Sequence, residues 1–369
     1  MRVLHVIARM NFGGTARYLV ELHDGLTANG IENFIAAGHV EGKESIDPSA
    51  AGIRIIDIAS LARSLNPPND FKAALELRKI VAEIKPDIVH THTFKAGLIA
   101  RLQTGALKRA AQKNIKFVHT FHGHLFDDPE FSGPKAQVIA GIEKTLAKRT
   151  DVLVSVGLKV STDLIARKIG TSQQFVNIPP GVRALPVADR RESRTKFGIA
   201  AEKSVIGWIA RVTGVKNPIR AIEVARALPD TQFLFAGGGD LLDEIRAKAP
   251  ENMKILGWSE PTELFAASDL ILSTSENEGM PIALIEAQLA GLPVVATDAG
   301  SVAEVVLDGR TGFVTSKDST ALITACKHLI EQPELRAEMG QNARTHASKY
   351  FSIDGMVDSH LSLYNQLMK

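Results

Sequence analysis

The sequence is short of several things, and each shortage excludes a class of protein. Its 369 residues include one cysteine, Cys326, which excludes an intramolecular disulfide framework and any multi-cysteine zinc or iron–sulfur site. We expect Cys326 to be a small buried residue on a helix. Net charge is also small, because 43 Lys and Arg residues face 41 Asp and Glu residues for a formal +2. This balance argues against a dedicated nucleic-acid-binding protein.

Long hydrophobic runs are missing as well. No segment approaches the ~18 consecutive apolar residues that span a bilayer. The apolar run at residues 3–8 is too short for a signal peptide and no small-residue cleavage site follows it, so we predict a buried strand there and a cytoplasmic protein. Hydrophobic residues make up 45% of the chain and charged residues 23%, the balance of a soluble globular protein long enough for two domains.

Short apolar runs alternate with amphipathic stretches of helical period along the whole chain. The runs predict strands at residues 3–8, 34–37, 53–58, 88–92, 117–120, 152–156, 175–178, 205–210, 233–236, 254–256, 270–273, 294–296 and 312–314. In the first half, the amphipathic stretches predict helices at residues 16–29, 71–84, 96–111, 136–148 and 159–168. Continuous apolar runs separated by helices are typical of parallel strands covered on both faces, so the pattern predicts an α/β protein with two Rossmann-like, doubly wound domains.

The two predicted domains meet at a proline-rich break. Pro179, Pro180 and Pro186 lack amide donors and bias their neighbours towards extended geometry, so neither a strand nor a helix continues through them. We therefore predict an N-terminal domain at residues 1–183 and a second domain at residues 184–351. Two such domains leave a cleft at the carboxyl ends of their strands, and ligands bind there on loops that lead into helices.

Two glycines, Gly13 and Gly14, follow the first predicted strand. They allow a ligand to approach the backbone closely, and the next helix presents free N–H groups to an anion. The three-glycine dinucleotide fingerprint is absent. The pair therefore indicates either an anion-binding loop or a tight turn.

Two cations occupy the corresponding position of the second half. Arg211 and Lys216 follow the predicted strand 205–210, and Pro218 suits the first turn of the helix after them. A planar guanidinium and a compact ammonium together suit a diphosphate. The alternative is a pair of solvated surface charges.

The most specific motif runs from Glu278 to Glu286. We expect Pro281 to begin a helix, with Glu278 in the loop before it and Glu286 inside it. The N–H groups near Gly279, Met280 and Ile282 then lack helical partners and suit phosphate or sugar oxygens, while the carboxylates suit sugar or ribose hydroxyls. The alternative is that Glu278 caps the helix and Glu286 pairs with a cation, although an unpaired acid among apolar neighbours is costly.

Five histidines lie near two neighbouring predicted strand ends: His90, His92, His119, His122 and His124. They raise the alternative of a zinc hydrolase, but the region offers no carboxylate between Asp87 and Asp127. We favour one neutral histidine that donates a hydrogen bond to substrate. The same acid-free span contains six cations between residues 95 and 116, whose helix suits either contact with an anionic membrane or ordinary solvation.

Together, these motifs resemble the retaining glycosyltransferases of family 4, which have the GT-B fold. The resemblance rests on Gly13-Gly14, His122-Gly123, Arg211 with Lys216, and the Glu278-to-Glu286 element with the Gly-Leu-Pro-Val-Val sequel at residues 291–295. It extends over nearly the whole chain, including residues 90–97 and 178–182. It implies a C-terminal helix at residues 352–369 that crosses back to the first domain.

The resemblance also implies roles for individual residues. Arg211 and Lys216 would bind the diphosphate of a nucleotide sugar, most simply a UDP-sugar, and Glu286 its ribose. Glu278 and His122 would contact the sugar. Leu256 and Gly257 would contact the base of the nucleotide. The remaining donor contacts would come from Gly13, Gly14, Gly279, Met280, Pro281 and Ile282.

The implied reaction transfers the sugar, with retention, to a hydroxyl of a glycan or lipid-linked acceptor in the synthesis of cell-surface polysaccharide or glycolipid. No metal or other cofactor is expected, and a non-catalytic nucleotide-sugar-binding protein is a further alternative. The enzyme would act in the cytoplasm, with peripheral contact to the inner face of the membrane through the basic region 95–116.

Overall fold

Strands run parallel in two sheets in the computed structural model, which describes residues 1–11, 13–40, 46–62, 64–123, 126 and 133–369. The first unit comprises described residues from 1 to 181 together with Ile353–Lys369, and the second comprises Val182–Ser352. The first sheet has the order β3-β2-β1-β4-β5-β6-β7 and the second the order β10-β9-β8-β11-β12-β13. Both orders are doubly wound, as the sequence predicted.

All thirteen predicted strands are present. They are β1 (Arg2–Ile7), β2 (Glu32–Ala37), β3 (Ile55–Asp57), β4 (Ile88–His92), β5 (Lys116–Phe121), β6 (Val152–Ser155), β7 (Phe175–Asn177), β8 (Val205–Ile209), β9 (Gln232–Ala236), β10 (Met253–Gly257), β11 (Leu270–Ser273), β12 (Val294–Thr297) and β13 (Gly312–Thr315).

Helices connect these strands. They are α1 (Gly14–Ala28), α2 (Pro67–Ile84), α3 (Phe94–Leu102), α4 (Thr104–Ala111), α5 (Pro134–Ala147), α6 (Leu158–Ala166), α7 (Arg190–Lys196), α8 (Pro218–Ala227), α9 (Leu242–Lys248), α10 (Pro261–Ala267), α11 (Ile282–Leu289), α12 (Val302–Val305), α13 (Ser319–Glu331), α14 (Pro333–Tyr350) and α15 (Ile353–Leu367).

The predicted helix 96–111 is wrong in one respect, because it is two helices. α3 ends before Gln103 and α4 begins after it. The Gln103 amide donates to the carbonyl of Ala74 (3.0 Å) and accepts from the Arg78 guanidinium (2.5 Å), both on α2. These bonds hold Gln103 to the neighbouring helix α2. The hydrophobic periodicity of residues 96–111 does not reveal contacts with another helix, so it did not predict the break.

The C-terminal helix completes the first unit, as the resemblance implied. α15 packs on α1, and the hydroxyl of Tyr18 on α1 lies 3.1 Å from Nε2 of His360 on α15. The Tyr364 hydroxyl lies 2.6 Å from Nδ1 of His90 on β4. α15 therefore supplies polar partners to the core of this unit as well as apolar surface.

The core of the second unit lies on both faces of its sheet. Trp208 on β8 stacks on Phe235 on β9 with ring centroids 4.1 Å apart. Cys326 is fully buried on α13, as predicted, and burial raises the pKa of its thiol. Within the described ranges, no helix combines the length and apolarity needed to cross a bilayer.

Candidate active site

The carboxyl ends of β8 and β11 form a topological switch point in the second unit. The chain passes from β8 to β9 on one side, whereas β11 lies on the other side of β8. Loops that leave such a pair of strands separate and leave room for a ligand. We call residues 210–217 the β8 loop and residues 274–281 the β11 loop. Arg211, Lys216 and Glu278 lie on these two loops.

Hydrogen bonds join the two loops directly. The backbone N–H of Glu276 donates to the carbonyl of Val215 (2.8 Å), and the Thr274 hydroxyl donates to the carbonyl of Lys216 (2.9 Å). The buried Trp208 indole N–H donates to the same Thr274 hydroxyl (2.9 Å). The loops therefore form one frame that holds its side chains in place before a ligand binds.

Lys216 and Glu278 form an ion pair across this frame. The Lys216 Nζ lies 2.6 Å from Glu278 Oε1, and the Ser275 hydroxyl donates to the same oxygen (2.7 Å). Both charged side chains are largely buried, with 17% and 11% of their surface exposed. An ammonium has three N–H groups, and this contact uses one of them. Sequence reasoning gave the two residues separate partners and did not predict that they pair.

Glu276 is a second acid on the β11 loop, and the sequence analysis missed it. Its Oε1 accepts from the Asn217 amide and from the Arg220 guanidinium, each at 2.7 Å, while Lys317 donates to its backbone carbonyl (2.6 Å). Burial acts to raise the pKa of Glu276, but these hydrogen bonds and cations outweigh it and lower the pKa overall. Glu276 thus remains charged and ties the β11 loop to α8.

A glycine triplet supports the β8 loop from the end of β9. Gly237 has φ +143°, and a Cβ at this residue would lie 1.8 Å from the carbonyl oxygen of Ala210. A Cβ at Gly239 would lie 2.4 Å from the carbonyl oxygen of Val212. The exposed Arg211 lies between these two carbonyls, so the triplet sets where its backbone runs. The run Gly-Gly-Gly-Asp after a predicted strand was a signal for this support.

The N-terminus of α11 follows the β11 loop. Pro281 is the N-cap, so the helix begins one residue later than predicted, and the Pro281 side chain makes no capping hydrogen bond. The N–H groups of Gly279, Met280 and Ile282 lie at or just before this terminus, where the helix provides no carbonyl partners. Glu286 is buried in the second turn of the same helix.

The segment predicted to contact a nucleobase lies at the end of β10. Leu256 and Gly257 are the last residues of the strand, and Gly257 turns the chain with φ +70°. The carbonyl of Gly257 accepts from the Gly237 N–H (2.7 Å). The Trp258 side chain that follows is 59% exposed, and its indole lies over Gly238. The glycine triplet therefore links this segment to the β8 loop.

In the first unit, Gly13 and Gly14 lie at the start of α1, the helix that follows β1. Gly13 has φ +150°, and its N–H donates to Asp47 Oδ2 (3.1 Å). Gly14 is the first residue of α1, and the N-cap residue, Gly13, has no side chain that could cap the helix. The Asp47 carboxylate therefore already accepts from the Gly13 N–H. Gly14, the first residue of α1, is the glycine that an anion at this helix terminus would approach.

His122 follows β5 and is the last member of a chain of histidines. Its Nε2 lies 3.1 Å from Nδ1 of His92 on β4, and His92 Nε2 lies 3.1 Å from Nδ1 of His5 on β1. His5 was missed by sequence reasoning. The signal for it was its place on the first strand, where the parallel register aligns it with His90.

Burial governs the protonation of these histidines. It lowers the pKa of His5 and His122 to about 3 and that of His360 to about 4. It also holds the pKa values of His90 and His92 well below the ordinary range. All five are therefore neutral at pH 7.

The histidines do not assemble as the zinc alternative required. His119 contacts the Thr91 hydroxyl (2.8 Å), and Thr91 alternates with His90 and His92 on β4, so His119 lies on the opposite face. His5, His90 and His92 do converge, with ligand atoms within 4.8 Å of one another. However, both nitrogens of His90 and of His92 already have hydrogen-bond partners. His124 lies outside the described residues.

The basic region 95–116 is less exposed than predicted. Lys95 is buried and pairs with Asp70, and Arg101 is buried and binds Glu143 through two contacts of 2.8 and 2.9 Å. These two cations therefore stabilise the packing of α3 and are not available at a surface. Both expectations for this region, membrane contact and solvation, are therefore wrong for Lys95 and Arg101.

Comparisons with known proteins agree with the fold. The family model for Glycosyl transferases group 1 matches residues 189–346, and that for Glycosyltransferase Family 4 matches residues 12–184. A UDP-Gal:alpha-D-GlcNAc-diphosphoundecaprenol alpha-1,3-galactosyltransferase of Escherichia coli is 27% identical over 85% of this chain and 84% of its own length. An N-acetyl-alpha-D-glucosaminyl L-malate synthase of Bacillus anthracis is 25% identical over 82% and 81%.

Solved structures are similar over the whole chain. A sucrose-phosphate synthase from Thermosynechococcus elongatus superposes with a TM-score of 0.85 at 17% identity, covering 100% of this chain and 99% of its own. Anabaena Alr3699/HepE, solved in complex with UDP and glucose, gives 0.82 at 19% identity over 99% and 100%. The chain belongs to the group 1 glycosyltransferases of family 4 and has the GT-B fold.

Proposed function

We propose that this protein is a retaining glycosyltransferase that transfers a sugar from a UDP-sugar to a hydroxyl of a glycan or lipid-linked acceptor. The product would be a cell-surface polysaccharide or glycolipid. The observation that carries the proposal is the Lys216–Glu278 pair, 2.6 Å apart on the two loops of a topological switch point. The name of the Escherichia coli relative specifies a UDP-linked donor and a lipid-diphosphate-linked acceptor, and the Anabaena structure contains UDP.

The positive groups of the second unit suit a leaving diphosphate. Arg211 and Lys216 are the two cations assigned to it, and the N-terminus of α11 adds partial positive charge. Negative charge grows on the diphosphate as the glycosidic bond breaks, so fixed cations stabilise the transition state more than the ground state. Glu278 pairs with Lys216, and we propose that a sugar hydroxyl binds Glu278 when the phosphate binds Lys216.

The remaining predicted contacts complete the donor site. We assign the ribose to Glu286 and the base to Leu256 and Gly257. Gly279, Met280 and Ile282 would donate backbone N–H groups to sugar or phosphate oxygens, with Pro281 setting the start of the helix. From the first unit we assign Gly13 and Gly14 to the phosphate side and His122 to the sugar.

Retention would follow from attack on the face that the diphosphate leaves. The described part of the site offers no carboxylate assigned as a nucleophile, so a double displacement of the glycosidase type is not proposed. Instead the donor phosphate would accept the proton of the acceptor hydroxyl. The anomeric configuration of the product, read by NMR, tests this point, since an inverted linkage would contradict it.

We also propose that catalysis needs no metal, because Arg211, Lys216 and α11 supply the charge that a metal would otherwise supply. The decisive experiment screens nucleotide sugars first by thermal shift and then by sugar transfer or donor hydrolysis, with and without EDTA. A donor that stabilises the protein and is turned over in EDTA supports the proposal. Stabilisation without turnover by any donor and acceptor supports a non-catalytic binding protein, and loss of turnover in EDTA contradicts the metal-free mechanism.

We also propose contact with the inner face of the membrane, but through fewer residues than the sequence predicted. With Lys95 and Arg101 buried, the candidates are Leu102, Arg109 and Lys113, which are exposed on or beside α3 and α4. Co-sedimentation with anionic vesicles, compared between the wild type and Arg109→Glu, tests it. Equal sedimentation of both proteins would contradict the contact.

A further inference from the structure

The chain His5–His92–His122 has a direction that its hydrogen bonds define. Two N···N contacts of 3.1 Å join the three rings, and His122 is half-buried whereas His5 and His92 are fully buried. A neutral imidazole has one N–H and one acceptor nitrogen, so each contact needs one N–H from one of its two rings. Two orders satisfy both contacts, one with every N–H pointing towards His122 and one with every N–H pointing towards His5.

The far end of the chain distinguishes the two orders. His5 Nε2 is buried and has no hydrogen-bond partner among the residues that the structure describes. If the N–H groups pointed towards His5, this nitrogen would carry a buried N–H with no acceptor. If they point towards His122, the same nitrogen carries only an unused lone pair. Buried N–H groups are rarely left unpaired, which favours the second order.

The neighbouring rings fix the plane of His122 independently. His360 Nδ1 lies 2.8 Å from the carbonyl of Met356, which only accepts, so His360 Nδ1 carries the hydrogen and its Nε2 accepts from the Tyr18 hydroxyl. This bond orients Tyr18, whose ring meets that of His122 edge-on at a centroid distance of 4.7 Å. His122 is therefore constrained by two contacts. One is the hydrogen bond to His92, and the other is the edge-on packing against the Tyr18 ring.

We infer that His5 and His92 are positioning residues that hold His122 as the Nδ1–H tautomer, so that its Nδ1–H donates to an oxygen of the bound substrate. In this order His5 Nδ1–H donates to His92 Nε2, and His92 Nδ1–H donates to His122 Nε2. His122 Nε2 is then used inside the chain, and its Nδ1 makes no hydrogen bond to the described residues. The effect on turnover rests on the proposed function, whereas the tautomer does not.

The assignment also explains why three rings are used. A lone half-buried histidine populates both tautomers, and only one of them offers a donor at Nδ1. The buried rings of His5 and His92 select one tautomer of His122, and they do so without placing a charge in the core. No proton needs to move during the reaction, so His122 acts as a fixed neutral donor and His5 and His92 act only through it.

The tautomer can be measured without any substrate. We would record long-range 1H–15N spectra of the full-length protein labelled with 15N-histidine and assign His122 from the signals that disappear in His122→Gln. The expected pattern has a protonated Nδ1 and an unprotonated Nε2 for His122. A protonated Nε2 on His122 in the wild type would overturn the inference whatever the activity.

Two variants of His92 test the positioning role. In His92→Asn the amide N–H takes the place of the Nδ1–H donor to His122 Nε2, whereas His92→Leu removes it at similar volume. We expect His92→Leu to leave His122 as a mixture of both tautomers and to lower kcat roughly 10-fold with the donor KM within about twofold, the scale of one missing hydrogen bond. His92→Asn should recover most of kcat and the wild-type tautomer.

The outcomes separate the inference from the proposed function. If both His92 variants fold, lose kcat equally and keep the wild-type His122 spectrum, His92 is only a packing residue and the inference fails. If His92→Leu does not fold, the spectra of the wild type and of His92→Asn still decide it. If the tautomer is as inferred but His122→Ala transfers sugar at the wild-type rate, the proposed role of His122 fails while the tautomer assignment stands.

Discussion

Each of the two units contains its own doubly wound sheet, but the side chains on corresponding strands differ in charge. They are neutral in the first unit and charged in the second. The first unit lines β1, β4 and β5 with neutral, buried histidines such as His5 and His92, whose partners are other rings and hydroxyls. The second unit places charged pairs such as Lys216 with Glu278 at the ends of β8 and β11. One architecture therefore carries both a neutral hydrogen-bonding surface and a charge-stabilising one, and side chains rather than topology make the difference.

The largest effect that separates the units is expected in stability against pH. His5, His90, His92, His119, His122 and His360 all have pKa values lowered by burial. Below an ordinary pKa near 6.5 the unfolded chain binds protons that the folded unit does not. The buried histidines therefore make their full contribution to stability above pH 6.5. As the pH drops below this value, the free energy of unfolding falls by up to about 1.4 kcal/mol per histidine and pH unit.

We therefore expect the free energy of unfolding to fall by several kcal/mol between pH 7.5 and 5.5. Urea unfolding at a series of pH values measures the fall, and hydrogen exchange at pH 5.5 locates it. Exchange should rise in β1, β4 and β5 and change little in β8 and β11. Equal acid sensitivity of the two units would contradict the comparison.

The next effect is on donor use by the charged unit. Lys216→Ala and Glu286→Ala should each lower kcat/KM for the donor by roughly 10- to 1000-fold, the scale expected when a desolvated site is deprived of a charge-assisted hydrogen bond. The matched control is Lys327→Ala, which removes an exposed lysine of α13 in the same unit and should leave kcat/KM unchanged. Wild-type rates in both site variants, with folding verified by circular dichroism, would refute the assignment.

His122→Ala should have a smaller effect of a different kind. Loss of one neutral donor is expected to lower kcat roughly 10- to 100-fold while the donor Kd changes little, since the diphosphate supplies most of the affinity. The exposed His39 provides a control, and His39→Ala should retain full turnover. A His122→Ala enzyme with normal kcat and weakened donor binding would show instead that His122 contributes to donor affinity and not to turnover.

The smallest effect tests the support beneath the cations. Gly237→Ala places a Cβ against the Ala210 carbonyl at a φ of +143°, so the β8 loop must shift. We expect the donor KM to rise about fivefold, because the Arg211 side chain would be displaced from the donor rather than removed. Gly141→Ala on α5, where the added Cβ meets nothing within 4 Å, is the control and should match the wild type. An unchanged KM in Gly237→Ala would indicate that the triplet does not position Arg211.

Sequence patterns predicted the fold well because its elements are encoded locally. All thirteen strands follow from continuous apolar runs of a few consecutive residues. The exception, the break between α3 and α4, depends on bonds from Gln103 to α2. Such bonds join residues far apart in sequence and leave no periodic signal.

The site was predictable by position but not by pairing. Glycines and charged residues after strands identified the loops, because strand ends converge at one edge of a sheet. The Lys216–Glu278 bond joins residues 62 positions apart, and burial of Lys95 and Arg101 depends on Asp70 and Glu143. Sequence reasoning assigned Lys216 to a diphosphate, and Lys95 and Arg101 to membrane contact or solvation, because it had no means of placing an acid beside each.

The contacts of α15 have a consequence for how the chain matures on the ribosome. The first unit cannot pair Tyr18 or His90 with their partners until His360 and Tyr364 have been synthesised, after the entire second unit. During translation the first unit therefore keeps an incomplete polar core after all seven of its strands have been made, whereas the second unit is fully synthesised before α15. The half made first is the half finished last.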